Sequence, residues 1–203
     1  MKTNGVKHEY FIFSFQGFVL NIGHIRNYRM IELKTERLML RHLRVDDAAA
    51  FFSYRSDAVA NRYQGWIPKE EQEAIDFIKY RITDIPDTPD TWIQLAIVHL
   101  EDKRLIGDIG VYFLPDNDKE VKLGYTLDKN YQGHGYASEA LHILIDHLMI
   151  RFGKNRFIAL ISPENEASIR LAKRLGFVQE IEPDPEDLQD HDYPDDLKFV
   201  LET

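Results

Sequence analysis

The sequence predicts a mixed α/β (α+β) domain on a mostly antiparallel central sheet. Three apolar or alternating runs at residues 92–100, 104–113 and 121–127 follow one another across short turns, the pattern of an antiparallel meander. Residues 137–152 keep one apolar face through Ala137, Ala140, Leu141, Leu144, Ile145, Leu148 and Phe152, and Gly153 stops them. An apolar, β-branched run at 157–161 and a second helical segment at 165–175, stopped by Gly176, complete a strand–helix–strand–helix section.

The remaining elements follow the same rules. Residues 37–41 alternate, with Leu38 and Leu40 on one face, as a half-buried strand does. Asp46 and Asp47 open a helix to about residue 54, acids being favoured at helix N-termini. Residues 70–81 follow Pro68 as a second helix with Ala74, Ile75, Phe77 and Ile78 as its stripe. Residues 177–181 and 197–201 read as closing strands.

Composition narrows the function. At 203 residues the chain suits one domain, and a domain that long buries roughly 70% of its unfolded surface without staples. There is no cysteine, which excludes disulfides, thiolate metal sites and a cysteine nucleophile. The net charge of −9 argues against a nucleic-acid backbone as partner. Eight acids and no Lys or Arg fall within residues 182–196, leaving the rest near neutral, and three prolines keep this stretch out of helix. It reads as a solvated acidic loop or as a collar for a cationic substrate. Residues 10–20 are apolar and aromatic but shorter than the roughly 20 residues that cross a bilayer, and no small-x-small cleavage site follows. Residues 1–29 are expected to be an accessory extension without chemistry, and 30–203 the functional domain.

The segment Tyr131-Gln-Gly-His-Gly-Tyr-Ala-Ser-Glu139 lies between a strand and the longest helix. Two glycines let the backbone turn tightly, and the orphan N–H groups of a helix start attract an anion. No Gly-Lys-Ser/Thr is present for a Walker loop. The third glycine and downstream acid of a dinucleotide fingerprint are missing too. His142 and His147 are five apart and do not share a helical face, so no zinc motif forms and no metal is expected. His42 and His99 read as structural.

The run Gln132-Gly-His-Gly-Tyr-Ala137 resembles the coenzyme A diphosphate loop of the GNAT family of N-acetyltransferases. Residues 34–41 resemble the opening strand of its RimJ/RimL-type branch, Leu105-Ile-Gly-Asp-Ile-Gly110 and Leu123-Gly-Tyr125 its central strands, and Asn165-Glu-Ala-Ser168 with Leu175-Gly-Phe177 its last helix. The resemblance implies a GNAT fold, flanked by helices, with a splayed parallel strand pair at 121–127 and 157–161. It implies acetyl-CoA as cosubstrate. Backbone groups of Tyr125, Thr126 and Leu127 would hold the pantetheine arm. Gln132, Gly133, His134, Gly135, Tyr136, Ala137 and Ser138 would hold the diphosphate, and Asn165 would touch the cofactor or simply cap its helix. Tyr63 and Trp66 fall on the substrate wall.

The acid–base positions depart from the family. Lys122 and Ala172 stand where many relatives carry a Glu base and a Tyr donor. Glu120, on the same strand face, is the candidate base, and Ser168 the candidate donor. Deprotonating an amine of pKa about 10.4 at pH 7 costs about 4.6 kcal/mol, against about 1 kcal/mol for a peptide α-amine. A weakened base therefore favours an α-amine acceptor, ahead of a polyamine or aminoglycoside. A CoA-binding protein without catalysis and an interaction module are the alternatives. The chain is expected to be cytoplasmic, monomeric or homodimeric, with no nucleic acid and no membrane span.

Overall fold

The structure, a computed structural model, describes residues 30–181 and 195–203. The extension at 1–29 and most of the acidic stretch, residues 182–194, lie outside them.

Strands β1 (Glu32–Lys34), β2 (Leu38–His42), β3 (Thr91–His99), β4 (Leu105–Phe113), β5 (Glu120–Leu127), β6 (Arg156–Ile161), β7 (Val178–Gln179) and β8 (Leu197–Glu202) form one sheet, ordered β1-β2-β3-β4-β5-β6-β8-β7. The expected meander is β3, β4 and β5. Among the described residues, only β5 and β6 pair in parallel. The helices are α1 (Ala48–Arg55), α2 (Glu71–Tyr80), α3 (Tyr136–Phe152) and α4 (Glu166–Arg174).

Alternation sorts the strand residues between two cores. Ile93, Leu95 and Ile97 of β3 face the larger one, with Leu144 and Leu148 of α3 and Leu171 of α4. Ala96 faces the other side, where Phe51 and Tyr54 of α1 meet Ala74 and Ile78 of α2. α3 and α4 thus cover one face and α1 and α2 the opposite one.

Three expectations shift in detail. The turn Val45–Asp47 is 3-10, and α1 proper starts at Ala48 because Asp47 accepts the Arg44 N–H at 2.8 Å and ion-pairs with Arg41 at 2.6 Å. The strand expected at 177–181 shrinks to the two residues of β7, an edge strand paired only with β8. β1 was not expected: its three residues carry one half-buried apolar side chain, too little for a periodic signal.

One buried charge organises the α1 face. Asp108 of β4 is fully buried, and its carboxylate accepts from Tyr54 Oη at 2.6 Å, Arg55 Nε at 3.0 Å, Arg55 Nη2 at 2.5 Å and Gln94 Nε2. Burial, then the Asp108 charge, raise the Tyr54 hydroxyl well above its ordinary pKa. Asp108→Ala strands the Arg55 guanidinium in the interior. It is expected to cost about 3–5 kcal/mol in urea unfolding; a loss under about 1 kcal/mol would show the pair to be dispensable.

Candidate active site

The site begins where the sheet comes apart. β5 and β6 pair at Glu120↔Arg156, Val121↔Phe157 and Lys122↔Ile158 and then separate. Beyond that point β5 stays with β4 as far as Gly107↔Leu127, while β6 stays with β8 as far as Ile161↔Leu197. In an antiparallel ladder, successive residues turn their backbone groups to opposite edges. The carbonyls of Tyr125 and Leu127 are met by side chains, Gln64 Nε2 at 3.3 Å and Gln132 Nε2 at 3.1 Å. These two residues therefore direct their N–H and C=O groups into the gap.

A cleft of about 920 Å³ runs along this edge, between the segment 57–64, β5, the start of α3 and α4. Gly133 and Gly135 both sit at φ +82, a left-handed conformation that glycine adopts without strain. A Cβ at Gly133 would meet nothing within 4 Å, so the backbone is open to a ligand. No side chain caps α3 at Gly135, and the first intrahelical bond is Glu139 N–H to Gly135 C=O at 3.0 Å. The amides of Tyr136, Ala137 and Ser138 thus have no helical acceptor and face an anion site. Arg174 of α4 adds positive charge to the lining, as do Arg170 and Lys129, which are paired with Glu166 and Asp57. The buried Thr126 Oγ1 has no partner among the described residues and also lines the cleft. This donor set fits a diphosphate with an amide-bearing arm.

Most of the predicted residues converge here. Tyr125, Thr126, Leu127, Gln132, Gly133, Gly135, Tyr136, Ala137, Ser138, Asn165, Ser168 and Tyr63 all line the cleft. Asn165 caps α4, its Oδ1 accepting the Ser168 N–H at 3.2 Å, and lines the cleft as well. Tyr125 Oη donates to Ser168 Oγ at 2.9 Å, and burial raises the pKa of the Tyr125 phenol. Tyr63 Oη reaches across to the Glu164 carbonyl at 3.1 Å.

Three residues lie elsewhere. The Glu120 carboxylate is at the closed end of the strand pair, 3.3 Å from Arg156 Nε, and lines neither this cleft nor the cavity beyond it. The structure does not bring it to the gap where an amine would attack. His134 keeps its side chain out of the cleft lining, and its carbonyl accepts from Arg37 Nη1 at 3.0 Å. Trp66 stacks on Phe77 at 4.8 Å and borders a second cavity of about 400 Å³ on the opposite face of the sheet. Gly124 lies on that cavity's floor, where a Cβ would meet nothing within 4 Å, and Gln64 lines both cavities.

Sequence reasoning missed Gln64, Arg37 and Glu139. Glu139 would place a charge against the anion site, yet its carboxylate accepts from Thr35 Oγ1 at 2.5 Å and pairs with Arg37 Nη2 at 2.5 Å. These partners come from the β1–β2 turn, about a hundred residues earlier, and no local pattern announces them. Glu120 and Glu139 are thus both held in ion pairs outside the cleft lining. Asp57, which does line the cleft, is held by Lys129 at 2.7 Å, and that hydrogen bond lowers its pKa.

No helix among the described residues is long and apolar enough to cross a membrane, and no group of three His, Asp or Glu there could hold a metal ion.

Comparison with known proteins agrees with this geometry. Residues 37–178 match the family model described as an acetyltransferase (GNAT) domain. The uncharacterized N-acetyltransferase p20 of Bacillus licheniformis is 33% identical over 152 residues, 74% of this chain and 84% of that protein. The ribosomal-protein-serine acetyltransferase of Escherichia coli strain K12 is 33% identical over 89 residues, 44% of this chain and 49% of that protein. Among solved structures, the GNAT-family acetyltransferase from Bacillus anthracis superposes with a TM-score of 0.67 at 21% identity, covering 84% of this chain and 96% of that one. The acetyltransferase from Agrobacterium tumefaciens gives 0.66 at 24% identity, covering 87% and 96%. With a family model that runs from the start of β2 through the glycine-rich turn and α4, the chain belongs to the GNAT acetyltransferases and is an acyltransferase enzyme.

Proposed function

We propose that this enzyme transfers the acetyl group of acetyl-CoA to the α-amine of a peptide or protein N-terminus by direct attack. The observation that carries the acceptor class is the second cavity, which opens at Gly124 beside the splayed edge. Its lining includes Trp66, Phe77, Trp92, Arg55 and Arg81 and no carboxylate. Arg55 is neutralised by Asp108, while Arg81 has no carboxylate partner among the described residues. A polyamine or aminoglycoside arrives with several positive charges and needs acidic subsites to offset its desolvation. A single α-amine beside an apolar or acidic side chain suits these walls.

The acid–base groups support the same reading. The one carboxylate lining the cleft, Asp57, is a weak base because Lys129 holds it ionised. An α-amine loses its proton at neutral pH for about 1 kcal/mol, so positioning and water suffice. Tyr125 donates to Ser168 Oγ and leaves the Ser168 proton directed elsewhere, available to the departing thiolate. Burial keeps the Tyr125 phenol protonated through the neutral range. The N–H groups of Tyr125 and Leu127 at the gap suit a developing oxyanion and the pantetheine amides.

Thiol release from acetyl-CoA across an amine panel tests the acceptor class. Short peptides with free N-termini are expected to turn over, and spermine and aminoglycosides to turn over at least about tenfold more slowly. Faster turnover of spermine would refute the proposal. Ser168→Ala is expected to lower kcat about tenfold with little change in the KM for acetyl-CoA, because a thiol of pKa about 8.5 needs only modest help to leave. Gly124→Leu fills the second cavity. It is expected to raise the KM for the peptide and to leave CoA affinity in calorimetry unaltered; equal losses in both would place the acceptor elsewhere.

A further inference from the structure

The phosphate loop is anchored from behind by a chain of polar groups that take no part in the chemistry above. Tyr131 and Tyr136 flank the glycine-rich turn, and both turn their hydroxyls away from the cleft toward the β3–β4 connection. Tyr131 Oη donates to Asp102 Oδ2 at 2.7 Å. His99, the last residue of β3 and 8% exposed, places Nδ1 at 3.0 Å from Asp102 Oδ1 and Nε2 at 3.1 Å from Tyr136 Oη.

The proton positions follow from the partners. Asp102 accepts from Tyr131, His99 and the Arg104 N–H, and its pKa is lowered to about 2, chiefly by the Tyr131 hydrogen bond, so it is ionised. An ionised carboxylate can only accept, so His99 Nδ1 carries the proton. In the tautomer with that proton, Nε2 offers a lone pair to the Tyr136 hydroxyl. Each contact has one donor and one acceptor, and the two tyrosines bracketing the loop are tied to a single turn. Arg37 completes the bracket from the other side: its guanidinium lies 4.6 Å from the centre of the Tyr136 ring and donates to the His134 carbonyl.

A loop with two left-handed glycines has conformational freedom to lose when a ligand arrives, and that loss subtracts from affinity. We propose that His99 and Asp102 are positioning residues that hold the Gln132–Gly135 turn in its anion-binding form before the cosubstrate arrives, so that their contribution is confined to ligands bearing the diphosphate. The inference rests on the reading of the cleft as the CoA site and adds a role for residues outside it.

The decisive comparison is between CoA, which carries the diphosphate, and acetyl-pantetheine, which does not. His99→Ala and Tyr136→Phe in the full chain are each expected to weaken CoA binding in calorimetry about tenfold and to raise the KM for acetyl-CoA in step. The KM for acetyl-pantetheine and for the amine should stay within about twofold. His99→Gln, which can donate to Asp102 and accept from Tyr136, should recover part of the CoA affinity. Unchanged CoA affinity in both variants overturns the proposal, and so do CoA and acetyl-pantetheine weakening together. Should His99→Ala fail to fold, Tyr136→Phe, which loses only a hydroxyl, decides alone. Failure of the unaltered chain to bind CoA would appear at the first titration and would refute the cleft reading itself.

Discussion

Everything in the site follows from backbone pairing that β5 and β6 do not make. Three residue pairs hold the parallel strands together, after which each keeps its antiparallel neighbour and leaves the other. A buried peptide group without a partner costs about 1–3 kcal/mol. The fold offsets part of that cost with two glutamine side chains, Gln64 on the Tyr125 carbonyl and Gln132 on that of Leu127. Both side chains come from connections outside the strands and α-helices. The gap is thus a strand-shaped vacancy, and the natural occupant is an extended chain of amides.

The charge arrangement extends the same logic to the phosphate end. An uncapped helix start is normally a liability, and α3 has one with a glutamate in its first turn. Arg37 and Thr35 occupy that carboxylate, so the field at the loop stays positive. Arg174 continues it along the cleft wall, where Lys129 and Arg170 are held by Asp57 and Glu166. On the opposite face of the sheet the second cavity lacks carboxylates and opens above Gly124. The two cavities thus differ in face and in chemistry, and among the described residues the only side chain common to both linings is Gln64.

What the sequence revealed was local. The stripe of α3, its glycine stop, the glycine turn before it and the Asn165 cap each span fewer than about twenty residues and obey a period or a position rule. The residues of the glycine-rich turn were legible for that reason, and all but His134 line the cleft. What stayed hidden was pairwise and distant. Gln64 meets Tyr125 across 61 residues and Arg37 meets Glu139 across 102, and neither partner carries a signal of the other. His99 read as an ordinary structural histidine because Tyr136 is 37 residues away. The short edge strand β1 escaped notice because three residues cannot show a period.

Glu120 shows the same limit most clearly. Period-2 reasoning puts it on the face of Lys122 and Gly124, and that is where it lies. Face alone does not say which end of a strand opens, because that depends on β6, some thirty-five residues later. Glu120 pairs in register with Arg156 at the closed end, and Arg156 also binds Glu180 at 3.1 Å and Glu202. Half-exposed ion pairs contribute little one at a time. One guanidinium shared by acids on β5, on β8 and beyond β7 nevertheless ties both halves of the sheet at the point where they must not part. A carboxylate committed to keeping the strands together there is ill placed to take a proton where they diverge. Glu120 therefore does not stand in for the missing family glutamate by position, and the proposed α-amine acceptor is the one that would need least help losing its proton.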